Sequence, residues 1–170
     1  MPPEVTGPPA ITAFGAFHTA VSVLAIVFGA WALVRDGKID PANRIGQWYV
    51  GTMLIGCLTA FGIYHRGGFG PGHVLSIVTL VFLLAGMFAS RIGRLGGAAA
   101  YVQTISFSVS FFLLMFFATT ETLTRLPVDH PFAPSQEAAE LIPVRILLLV
   151  GLLAGLAYQV FHMRAARART

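Results

Sequence analysis

The chain reads as an all-α, polytopic membrane helix bundle with five transmembrane helices. Three features carry that reading: five long and continuous apolar runs, a composition 56% hydrophobic and only 11% charged, and basic residues gathered on alternate connections. The mean hydropathy of +0.76 lies well above that of soluble domains. The runs span residues 11–34, 45–64, 73–90, 98–120 and 143–162. Each has close to the ~20 residues that an α-helix needs to cross ~30 Å of hydrocarbon at ~1.5 Å per residue. None shows the alternating pattern of a transmembrane β-strand. So much of the 170-residue chain is committed to these runs that it reads as one membrane domain, residues 1–170, with every candidate site in the bundle or at its rims.

The first run carries a small and polar stripe, Gly15, His18, Ser22, Ala25 and Gly29. Ala30-Trp31-Ala32 matches a small-x-small cleavage site, but Met1-Pro2-Pro3-Glu4 offers no positive n-region and the apolar stretch exceeds a signal-peptide core, so it is taken as a span. The second run opens after the turn residues Pro41-Ala42-Asn43 and carries Trp48 and Tyr49 as an interfacial aromatic pair. Cys57, the one cysteine, excludes an intrachain disulfide.

A Gly-rich turn from Arg66 to Gly72 lacks the Lys and Ser/Thr of a phosphate loop and reads as a tight hairpin into the third run, whose stripe is His73, Ser76, Thr79 and Gly86. The fourth run sets Gln103, Ser106, Ser110, Phe117 and Glu121 opposite a smooth face of Phe112, Met115 and Phe116. Pro127, Pro131 and Pro134 then mark a long connection, with Ser135 as N-cap of a short interfacial helix at about 136–142 that offers a lid. The fifth run holds Arg145, Gly151, Gly155, Tyr158 and His162, with Gly151 and Gly155 as a GxxxG pair. Small residues let helix backbones approach in lipid, and packing is the plain reading of these stripes.

Charge sorting sets the orientation. Arg35, Lys38, Arg44, Arg91, Arg94, Arg164, Arg167 and Arg169, set against Asp36 and Asp40, leave one side at +6. Arg66, Arg125 and Arg145, set against Glu4, Glu121, Asp129, Glu137 and Glu140, leave the other at −2. The N-terminus is expected outside and the C-terminus in the cytoplasm of a bacterial inner membrane. The pI of about 9.8 reflects these short-loop charges, not a basic face, which argues against nucleic acid as a partner.

Ionisable groups in a span are costly, roughly 2.5 kcal/mol or more, and mark sites. Arg145 begins the fifth span, Tyr64 and His65 end the second, His73 begins the third and Glu121 with Arg125 ends the fourth, all beside His18 on the outer side. These seven are the candidate ligand or cofactor-binding residues. A bland alternative is an interfacial set, with Glu121 and Arg125 as an i,i+4 pair and Arg145 snorkelling to water. His18, His65, His73 and Glu121 also have the chemistry of a transition-metal site, although no HxxxH or ExxH spacing puts two ligands on one helix turn. A b-type haem would need His65 or His73 opposite His18.

The stretches Asn43-Arg44-Ile45-Gly46-Gln47-Trp48-Tyr49-Val50, Leu58-Thr59-Ala60-Phe61-Gly62-Ile63-Tyr64 and Phe69-Gly70-Pro71-Gly72-His73-Val74-Leu75, with Tyr101-Val102 and the Glu121 to Arg125 end of the fourth run, resemble the DUF2306 family of bacterial membrane proteins. The resemblance covers the first four runs. It implies a fold and topology and supplies no mechanism. The family commonly has His at the position of Asn43, and often another near Gly96-Gly97; their replacement here moves the weight to the outer rim.

Three roles remain open from the residues. The first is binding of a small ligand, metal or redox cofactor in an outer polar pocket. The others are a non-catalytic subunit of a larger membrane complex and a small transporter acting as a homodimer. In each case the lipid bilayer is the surrounding partner.

Overall fold

The computed structural model describes residues 12–63 and 68–168, and these contain helices and turns but no strand. The helices are α1 (Ala13–Asp36), α2 (Arg44–Ala60), α3 (Pro71–Phe88), α4 (Ala99–Leu123) and α5 (Ile142–Arg167). Short 3-10 segments at Ala89–Arg91 and Gly93–Ala98 join α3 to α4, and another at Ala139–Leu141 leads into α5. Taken with these extensions, Ala13–Asp36, Pro71–Arg91, Gly93–Leu123 and Ala139–Arg167 are long and apolar enough to cross a membrane. The chain is therefore a multi-pass membrane protein with a helical bundle.

The helix ends follow local chemistry. The Thr12 hydroxyl accepts from the Gly15 N–H at 3.0 Å and caps α1, which closes at Gly37 in the left-handed region (φ 69°), its N–H bonded to the Leu33 carbonyl. Asn43 caps α2 by accepting from the Gly46 N–H at 2.9 Å; a Cβ at Gly46 would run into the Asp40 carbonyl. At the other end α2 stops short of the expected residue 64. Phe61, Gly62 and Ile63 instead bond three residues back, to Leu58, Thr59 and Ala60, which tightens the last turn.

At the start of α5 the separate interfacial helix expected near 136–142 is absent. The 3-10 turn Ala139–Leu141 runs directly into α5, because Pro143 falls in the first turn, where a missing N–H breaks no helix bond.

α1 packs along α2, and α3 along α4; α2 against α3 and α1 against α4 join the two hairpins, while α5 packs chiefly on α4. Arg167, bonded to the Gly97 carbonyl and lying over the Tyr101 ring, fixes the end of α5 beside the start of α4. Gln159 adds a second tie, accepting from Ser108 Oγ and donating to the Gly37 carbonyl, both at 2.9 Å. The α1–α2 and α3–α4 connections and the end of α5 thus share one end of the bundle, as the charge sorting expects.

The core lies toward that end, around the fully buried Tyr49, Leu83 and Phe107 with Ala25, Ala32, Met53 and Cys57. The small stripe of α1 works as packing: a Cβ at Gly29 would sit 2.5 Å from Phe111 Cδ2 and 3.0 Å from Tyr49 Cδ2. The α5 stripe differs. A Cβ at Gly151 or Gly155 meets nothing within 4 Å, and Gln159 is the one buried residue among those described in α5.

Candidate functional site

The expected outer-rim residues separate by their partners into three groups. Tyr64 and His65 lie outside the described residues.

His18, on α1, has Nδ1 2.8 Å from Thr59 Oγ1 on α2. The Thr59 hydroxyl also points back along its own helix, 2.8 Å from the Ile55 carbonyl and 3.1 Å from that of Gly56. With its single hydrogen donated there, Thr59 accepts from the His18 Nδ1–H. The ring is half-buried.

His73 occupies a different station. Its Nδ1 accepts from the Gly70 N–H at 3.1 Å, so the imidazole takes the place at N3 that Glu or Gln holds in a capping box. The ring is buried, stacked on Phe69 with centroids 5.1 Å apart and tilted against Phe61 at 6.2 Å.

The third group joins α4 to α5 through the intervening loop. Arg125 Nε donates to Glu121 Oε2 at 2.9 Å, the i,i+4 pair that the spacing offers. The other carboxylate oxygen accepts from Gln136 Nε2 at 2.5 Å, and the Gln136 carbonyl accepts from Arg145 Nη2 at 2.5 Å. The Arg145 guanidinium lies over the Phe116 ring, 5.0 Å from its centroid, and its buried Nε–H has no hydrogen-bond partner among the described residues. Beside it is a crevice lined by Thr119, Thr120, Leu141, Val144 and Leu148, too tight for a water molecule.

Among the described residues no three His, Cys, Asp or Glu side chains come together as a metal ion would require, so His18, His73 and Glu121 do not form such a set. For haem, the His73 ring is enclosed by Phe61 and Phe69 at the start of α3, while His18 is tied to α2.

Sequence reading missed Thr59, Phe116 and Gln136. Thr59 was visible as a polar residue near the end of the second run. Gln136 and Phe116 meet Arg145 only through the fold, and no local spacing points to either.

None of the family models, curated proteins or solved structures compared with the chain matches it.

Proposed function

We propose that the protein binds a small oxyanion, a carboxylate or a phosphate, at its outer end, with Arg145 as the anchoring cation and loop 124–138 as the lid. In this reading the chain spans the bacterial inner membrane five times, with its N-terminus outside. The 17 residues of α2 and the tightened turn through Ile63 give about 31 Å at ~1.5 and ~2.0 Å per residue, enough for the fifth crossing. The order of motifs supports kinship with the DUF2306 family.

The half-filled fork of Arg145 carries the proposal. Elsewhere in the chain Arg35 offers the same two groups, Nε–H and Nη2–H, to the two carboxylate oxygens of Asp36 at 2.8 and 2.7 Å. That side-on fork is the shape a carboxylate or phosphate fills. In Arg145 the Gln136 carbonyl takes one prong and the other stays buried without an acceptor among the described residues. An oxyanion that displaces Gln136 satisfies both, and the crevice beside Thr119 and Thr120 opens as the loop moves. The test is calorimetric titration of the purified protein in nanodiscs with acetate, succinate and inorganic phosphate. Saturable binding of one of them, weakened at least tenfold in Arg145→Lys, is expected; a wild type that binds none of the three overturns the reading.

A second reading is a non-catalytic subunit of a membrane complex, or a homodimer, joined through α5. The open GxxxG pair at Gly151 and Gly155 favours it. It predicts a larger particle after mild solubilisation, lost in Gly151→Leu.

A further inference from the structure

We infer that the first turns of α2 form a seat for an anionic phospholipid in the leaflet beside the α1–α2 connection. Arg44, Gln47, Trp48 and Gly51 follow at i, i+3, i+4 and i+7, hence on one helix face, and line an open groove of about 450 Å³. This site is separate from Arg145 and requires only that this end of the bundle lie at a membrane surface.

Three features give the groove a direction and a charge. At its mouth, Arg44 is exposed and has no carboxylate partner among the described residues. Its basic neighbours are neutralised: Arg35 by Asp36 at 2.7 Å and Lys38 by Asp40 at 3.3 Å. One turn deeper, Trp48 is 61% exposed, yet its ring is held by stacking on Phe28 with centroids 5.9 Å apart at 21°. The indole N–H has no protein acceptor among the described residues and sits where a headgroup or ester oxygen lies beside interfacial tryptophans. About 10 Å below Arg44, Gly51 leaves bare backbone, with open space where a Cβ would stand.

The same face continues into Ile55 and Leu58, both exposed and apolar. A cation, an indole donor, a flat shelf and an apolar track, in that order along the helix, complement a phosphate, an ester carbonyl and an acyl chain. A free phosphate matches only the mouth. An acidic peptide matches only the mouth as well, since the track runs into the hydrocarbon.

The experiment uses the full chain with Trp31→Phe, which leaves Trp48 as the one tryptophan. Trp48 fluorescence is read in nanodiscs as brominated-acyl phosphatidylglycerol or phosphatidylcholine replaces unlabelled lipid. Quenching is expected at about fivefold lower mole fraction of the anionic lipid, the worth of one charge near such a surface. That preference should fall to parity in Arg44→Gln and drop in Gly51→Leu, which fills the shelf at unchanged charge. Excess inorganic phosphate should leave it unaltered. Equal quenching by both lipids in the parent, a preference that survives Arg44→Gln or Gly51→Leu, or relief of quenching by phosphate alone overturns the proposal.

Discussion

Tyr49 on α2 and Ser110 on α4 meet at 2.8 Å with both side chains fully buried. Ser110 Oγ is also 2.9 Å from the Phe107 carbonyl, one turn back on its own helix. The serine hydrogen goes to that carbonyl, so the Tyr49 O–H donates to the serine oxygen. Phe107 and Phe111 pack against the Tyr49 ring at 6.4 and 6.3 Å; Gly29 of α1 gives room to Phe111 and Tyr49, and Gly86 of α3 gives room to Phe107. In hydrocarbon, where apolar burial does not drive helices together, this close packing and its one polar tie hold α1, α2 and α4 in register.

Replacing Tyr49 by Phe keeps the ring and removes the donor. Because the serine O–H still donates to the Phe107 carbonyl of its own helix, the cost should fall in the range of membrane hydrogen bonds, about 0.6 and at most about 1.7 kcal/mol. Unfolding midpoints in a titration of mild detergent with SDS measure it. A loss above 3 kcal/mol would show that the hydroxyl supports more than this one contact.

Gly29→Val should cost more, about 1–3 kcal/mol, since the first added carbon falls 2.5 Å from the Phe111 ring and the aromatic cluster must shift. Gly155→Ala on α5 is the control. With open space around it, the change should be neutral or raise stability by up to about 1 kcal/mol through helix propensity. The same detergent titration reports both, and destabilisation by Gly155→Ala would show that α5 is covered by another helix in the purified particle.

The helical elements were legible because lipid demands long apolar runs, and a run advertises itself. The starts of α2 and α5 were legible, because the turn residues through Asn43 and the proline at 143 act within a few residues of themselves; the caps of α1, Thr12 and Gly37, are equally local but were not read. The early end of α2 was not legible, because its tightened turn is set where Phe14 of α1 packs against Gly62, a Cβ there falling 2.7 Å from Phe14 Cε1. At the candidate site, the Glu121–Arg125 pair could be read from an i,i+4 spacing. The fork of Arg145 could not, since its acceptor comes from Gln136 and its platform from Phe116, and only the packing of α5 on α4 unites them.

The loop over that site should loosen in steps. Gln136→Ala removes the amide bond to Glu121 but keeps the backbone carbonyl on Arg145, whereas Glu121→Ala loses both Arg125 and Gln136. Each partly exposed contact is worth about 0.2–1 kcal/mol, so overall stability should change little while proteolytic nicking within 124–138 rises severalfold, more in Glu121→Ala. Equal nicking rates in wild type and both variants would mean that Gln136 does not hold the loop.

The hydrogen bond between His18 and Thr59 yields a test of its own. Because the threonine hydrogen is directed to the carbonyls of Ile55 and Gly56, the imidazole must donate, and in its neutral form Nδ1 carries the hydrogen while the Nε2 lone pair is the acceptor. In free histidine the opposite tautomer prevails, so the 15N chemical shifts of His18 in labelled protein should stand apart from those of the solvent-exposed His162. Thr59→Val removes the acceptor and should return His18 toward the common tautomer at a stability cost of about 0.6 kcal/mol. His18→Ala should insert normally, since topology rests on the charged connections and not on this ring. Its expected defect is a looser packing of α1 on α2, through the lost hydrogen bond to Thr59. A His18 signal with hydrogen on Nε2 in the wild type would reverse the bond and remove this basis for treating the ring as a fixed acceptor.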